Sequence, residues 1–137
     1  MRNELIESTV RQLYEGRGTE PRLELDPHVE FHDPVVIVRG RPGVVGMFAR
    51  LNRMFPSTTV EGFEPADESG RRFLLRVHYR RDPQSTPRLF ESSIEMEITR
   101  DRISRITEHW RNPIALDGDS PNSVLGMMRS VLGRLVS

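Results

Sequence analysis

Two stretches of alternating side chains constrain this chain more than any other feature. Over 72–81, Phe73, Leu75, Val77 and Tyr79 fall on one side and Leu74, Arg76, His78 and Arg80 on the other; over 89–98, Phe90, Ile94, Met96 and Ile98 oppose Glu91, Glu95 and Glu97. A period of two belongs to an extended strand, whose successive side chains point to opposite faces. Each strand therefore has a dry face and a charged face. If the two pair antiparallel, the Arg-rich outer face of one lies beside the Glu-rich outer face of the other, and cross-strand ion pairs account for both charge sets without a ligand. β-branched, aromatic or alternating residues predict further strands over 58–64 and 103–110.

A sheet with one dry face needs a cover. Leu5, Ile6, Thr9, Val10, Leu13 and Tyr14 recur at helical spacing before Gly16 and Gly18, and Val44, Val45, Phe48, Leu51, Asn52 and Phe55 do so before Pro56. Between them, Thr19-Glu20-Pro21 offers an N-cap and a first-turn proline, which predicts a short helix over 22–25 that ends where Asp26-Pro27 turns the chain. Short extended runs are expected over 29–31 and 35–38, the second bracketed by Pro34 and the Arg39-Gly40-Arg41-Pro42-Gly43 cluster. A polar, Gly/Pro-rich stretch from Pro113 precedes Val124, Leu125, Met127, Met128, Val131, Leu132, Leu135 and Val136, a helix with a broad apolar side. The expected fold is α+β, with N-terminal helices on a mostly antiparallel sheet. One domain is expected over 1–112, and a linker with a C-terminal amphipathic helix over 113–137 that packs on the domain or on a partner subunit.

Charge and composition remove several function classes. The chain of 137 residues carries 20 arginines, no lysine, 20 acids and no cysteine. Without an ammonium there is no Schiff-base or lysine-base chemistry and no P-loop lysine; without a thiol there is no cysteine nucleophile, disulfide or thiolate metal site. Zero net charge, with arginines dispersed among acids, argues against a nucleic-acid partner. No apolar stretch approaches the roughly 20 residues that span a bilayer, so no membrane partner and a cytoplasmic location are expected.

The segment Leu25-Asp26-Pro27-His28-Val29-Glu30-Phe31-His32-Asp33-Pro34, followed by Gly40 and the helix ending at Pro56, resembles the signature of the NTF2-like superfamily, particularly its SnoaL-like and ketosteroid-isomerase-like branches. The ending Ile106-Thr107-Glu108-His109-Trp110 looks like the I-x-E-H-W strand of the SnoaL-like branch. What the resemblance implies is a cystatin-like, NTF2-like cone, in which a strongly curved sheet and helices enclose a pocket. Enzymes and non-enzymes share that fold.

Asp33 is the first candidate catalytic residue. Asp33-Pro34 matches the Asp-Pro step whose acid is the proton-shuttling base in ketosteroid isomerases, and a carboxylate in a dry pocket acquires a useful pKa by desolvation. The plain alternative is an Asp that opens a turn by accepting backbone N–H bonds. Such an isomerase also uses two oxyanion donors, a tyrosine on the first helix and a protonated Asp on a later strand. Ungapped correspondence puts these at Leu13 and Ile94, so the resemblance implies that both are lost. Glu108 shares the inward side with Ile106 and Trp110 and is the second catalytic candidate, either an acid/base partner of Asp33 or an acid neutralised by an arginine.

Tyr14, Phe31, Phe48, Phe55, Phe63, Tyr79 and Trp110 are the candidate ligand-binding residues, with Tyr14 and Trp110 also carrying a polar tip. His32, His78 and His109 are expected to face outward, and no His/Asp/Glu spacing predicts a metal site. The leading expectation is therefore a cofactor-independent pocket protein for a small hydrophobic molecule, with isomerase- or cyclase-like proton transfer through Asp33. The alternative is a non-enzymatic scaffolding module, a homodimer through the outer sheet face with a filled interior.

Overall fold

Helical spacing at both predicted sites becomes two 14-residue helices, α1 (Arg2–Glu15) and α2 (Arg41–Met54). The structure, a computed structural model, describes residues 2–111; the expected linker and helix over 113–137 lie outside the described residues. Ile6, Val10, Leu13 and Tyr14 of α1 are buried, as are Val44, Met47, Phe48 and Leu51 of α2. α1 stops at Gly16, whose backbone is left-handed (φ +73°) and whose N–H donates to the Gln12 carbonyl at 2.9 Å. A Cβ there would sit 2.6 Å from the Asn52 amide nitrogen, which itself donates to the Leu13 carbonyl at 3.2 Å. Glycine thus permits both the stop and the approach of α2.

Both helices lie on a six-stranded open sheet built from β1 (Glu24–His32), β2 (Ile37–Arg39), β3 (Thr59–Pro65), β4 (Arg72–Tyr79), β5 (Arg88–Thr99) and β6 (Arg102–Trp110). The order is β2-β1-β6-β5-β4-β3. Among the described strands only β1 and β6 run parallel; every other pairing is antiparallel. Register shifts in β1, β3 and the β5–β6 pair mark bulges, which bend strands and let the sheet wrap.

The outer face carries cross-strand ion pairs, one of them between the two strands expected to share charges and the others on neighbouring strands. Arg72 meets its register partner Glu95 at 2.6 Å, Arg105 meets Glu97 at 3.3 Å, and Glu30 takes Arg39 and Arg105 at 3.6 and 3.8 Å.

The predicted helix over 22–25 does not form. Leu23 and Leu25 are buried, the Leu23 N–H donates to the Thr9 hydroxyl at 2.8 Å, and β1 pairs with β6 from Glu24 onward. The Asp26-Pro27 turn survives as a bulge, closed by the His28 N–H on the Asp26 carboxylate at 2.8 Å. Long-range pairing and burial override a cap signal whose worth is about 1 kcal/mol. The 35–38 run likewise shifts to Ile37–Arg39, because Val35 and Val36 are held in the turn made by Asp33.

Candidate functional site

β6 alternates Ile106, Glu108 and Trp110 onto the concave face, and Glu108 stands opposite Ile94 of β5. The carboxyl is 5% exposed and has no cation among the described residues. Both oxygens instead accept from neutral donors: the Tyr14 hydroxyl, from the last turn of α1, donates to Oε2, and the Trp110 indole N–H donates to Oε1 at 2.7 Å. Burial raises the Glu108 pKa to about 7, opposed by these two hydrogen bonds and reinforced by the nearby charge of Asp33. Burial, with the negative charge of Glu108 beside them, also pushes the Tyr14 and Tyr79 hydroxyls up.

Asp33 follows β1 directly. The β1–β6 register ends with Phe31 against Ile106 and His32 against Thr107, which leaves Asp33, on the inward parity of Phe31, close enough for its charge to act on Glu108. Its two oxygens divide the two readings made from sequence. Oδ1 accepts the Val35 and Val36 N–H groups at 2.7 and 2.8 Å, which is the turn. Oδ2 is buried and has no hydrogen-bond partner among the described residues. Burial raises the Asp33 pKa, against the lowering effect of the two backbone donors.

Aromatic rings connect this pair to the interior. Tyr14 meets Phe48 edge-on at 5.0 Å, and Phe48 meets Phe31 at 5.7 Å. Trp110 meets Phe90 at 5.8 Å, Phe90 meets Tyr79 at 6.2 Å, and Tyr79 meets Phe55 at 5.7 Å. Phe63 stands apart from this chain of rings: it is half-buried and stacks on Phe73 at 4.7 Å. Leu13 and Ile94, where ungapped correspondence put the two donors, are apolar core. The structure supplies polar groups one step away, at Tyr14 on the helix and at Glu108 across the ladder from Ile94.

One inward polar residue escaped the sequence reading. Ser92 is fully buried between Phe90 and Ile94 on β5, beside Trp110 in register, and its hydroxyl has no partner among the described residues. A serine interrupting an otherwise apolar inward series was the available signal. His109 is exposed and His32 pairs with Glu30 at 2.7 Å on the outer face. Among the described residues no three His, Asp or Glu side chains could hold a metal ion, and no helix is long and apolar enough to cross a membrane. An open depression of about 560 Å³ along α1, lined by Glu4, Glu7, Arg11 and Glu15 among others, is separate from the inner cluster.

No family model matches the sequence, and no curated protein does. Solved structures do match in fold. A candidate polyketide cyclase from Xanthomonas campestris is 13% identical with a TM-score of 0.60, over 87% of this chain and 97% of that one. A protein of the SnoaL-like family from Agrobacterium tumefaciens is 17% identical with a TM-score of 0.56, over 80% and 97%. A protein with a ketosteroid isomerase-like fold from Catenulispora acidiphila, solved with trimethylamine, is 17% identical with a TM-score of 0.50, over 69% and 76%. The chain therefore has the α+β NTF2-like fold that the SnoaL-like and ketosteroid isomerase-like proteins share.

Proposed function

We propose that the concave face binds a small hydrophobic carbonyl compound and moves a proton on it, in the manner of a cofactor-independent isomerase or cyclase. The observation that carries this reading is a pair of inward carboxyls that, among the described residues, have no cation, one with an oxygen lacking a hydrogen bond and the other gripped by Tyr14. Asp33 is the base: Oδ2 has an open lone pair, and the backbone bonds to Oδ1 hold it in place. It takes the proton from carbon beside the carbonyl, and the C–H electron pair moves into the enolate. Tyr14 donates to the enolate oxygen, and Glu108 in its protonated form donates to Tyr14. Preorganised donors of this kind are usually the largest catalytic contribution, and burial of Glu108 keeps it half-protonated near neutral pH. Phe31, Phe48, Phe55, Tyr79 and Trp110 supply the apolar wall for the ligand. The site proposed here requires no cofactor.

The test is deuterium exchange in D2O at the carbon beside the carbonyl of 2-tetralone, followed by NMR. The wild type accelerates exchange, Asp33→Asn loses about 100-fold or more, and Tyr14→Phe loses a comparable factor. Exchange no faster than in buffer, or equal rates for the wild type and Asp33→Asn, overturns the reading.

A second copy of the chain on the outer sheet face is a further element of the proposal. Its support is Leu89, 38% exposed on β5 amid charged neighbours. Leu89→Glu that leaves the sedimentation coefficient unchanged removes it.

A further inference from the structure

Glu108 has two hydrogen-bond donors of unlike character. The Trp110 indole N–H can only donate, whereas the Tyr14 hydroxyl can donate or accept. Both face the carboxyl in the ionised arrangement, the indole on Oε1 at 2.7 Å and the hydroxyl on Oε2. When Glu108 takes up a proton, one of its oxygens becomes a hydroxyl and a poor acceptor. A proton on Oε1 would face the indole N–H head-on, two donors with nothing to accept. A proton on Oε2 costs no such conflict, because the Tyr14 hydroxyl rotates, accepts from Glu108 and turns its own hydrogen inward.

We propose that Trp110 is a positioning residue: its indole N–H fixes Oε1 of Glu108 as the carbonyl oxygen, so the proton carried by this acid sits on Oε2 and its outlet is the hydroxyl of Tyr14. Among the described residues, the groups around the carboxyl add no competing outlet with a positive charge. Tyr14 reaches it from α1, Asp33 from the turn after β1 and Tyr79 from β4, and none of these is a cation. Trp110 is itself held by its edge-on contact with Phe90 at 5.8 Å, which sets the indole plane. The consequence for turnover rests on the proton-transfer reading above: a developing oxyanion is met by Tyr14 with one defined proton behind it. The structural claim about Glu108 stands apart from any substrate.

Trp110 is the one tryptophan of the chain, so its indole N–H gives a single NMR resonance. In the wild type without ligand, that resonance is followed as pH is lowered through the Glu108 midpoint, with the 13C-labelled carboxyl as the second reporter. The proposal expects the indole proton to stay in its hydrogen-bonded position throughout. Movement to a free-indole position in step with Glu108 protonation overturns it. In Trp110→Phe the ring packing is kept and the donor is lost, and the Glu108 midpoint rises by about one pH unit, tenfold in its acid constant, as expected when a charged acceptor loses a hydrogen bond. An unchanged midpoint in a folded Trp110→Phe, checked by its melting curve, also overturns the proposal. Phe90→Leu, which removes the ring contact and leaves the N–H, separates packing from hydrogen bonding; a midpoint displaced as far as in Trp110→Phe counts against the indole. The wild-type measurement decides the matter if neither variant folds. A wild type that exchanges no ketone yet keeps its indole bond refutes the proposed function and leaves this positioning intact, and the reverse result does the opposite.

Discussion

Replacing Glu108 with glutamine removes the one buried acid among the described residues, and the effect on stability has a sign and a window fixed by the structure. The carboxyl titrates near its ordinary value of 4.5 in the unfolded chain and at about 7 in the fold. A folded-state value above the unfolded one means that the folded protein holds the proton more tightly. The stability that comes from this group is fully present below about pH 4.5 and is lost as pH rises towards 7. At about 1.4 kcal/mol for each unit, the loss is about 3 kcal/mol, or some 10 °C in Tm for a chain of this size. Urea unfolding at pH 4.5, 6 and 8 measures it. The wild type weakens relative to Glu108→Gln across this window, and the variant's advantage is constant above it. Asp33, also raised by burial, adds to the same trend, while His78, whose pKa burial lowers, acts against it near pH 6. Both remain in the variant, so the difference between the two curves isolates Glu108. Parallel curves for wild type and variant would refute the assignment of a cation-free buried carboxyl.

Three further perturbations probe other parts of the same reasoning. Tyr14→Phe strips Glu108 Oε2 of its donor and is expected to cost about 1–3 kcal/mol at pH 8, where the carboxyl is charged, and distinctly less at pH 5; denaturant titrations at the two pH values compare them. Gly16→Ala forces a left-handed residue and a clash with Asn52, so unfolding free energy drops by at least about 1 kcal/mol. Arg72→Ala deletes an ion pair whose arginine side chain is 50% exposed, and its melting temperature stays within experimental scatter of the wild type, because exposed pairs contribute little.

The strands of the sheet were legible because their evidence is local. Phe73, Leu75, Val77 and Tyr79 alternate without interruption, and the inward position of Glu108 follows from the same parity two residues before Trp110. Residues 22–25 were misread for a related reason: Thr19 and Pro21 are local helix signals, but Leu23 and Leu25 answer to α1 and β6, which lie far away in sequence. The charges of the outer face were assigned to one another correctly only in part: Arg72 does meet Glu95 across β4 and β5, but Glu97 takes Arg105 of β6, a strand the local pattern did not place beside it. Ser92 was passed over because one small polar residue in an apolar series signals nothing until its neighbours are known to bury it.

Side-chain periodicity along single elements is enough to give the α+β class, the dry concave face and the inward turn of Glu108. What that acid meets comes from how those elements pack against one another. The parallel β1–β6 pairing leaves Asp33 close enough for its charge to act on it, and the last turn of α1 delivers Tyr14, not Leu13, to its Oε2. Periodicity gives a side chain's direction along its own element. Which groups converge in space depends on register and helix rotation, and these are fixed by contacts between residues separated by as many as 94 positions.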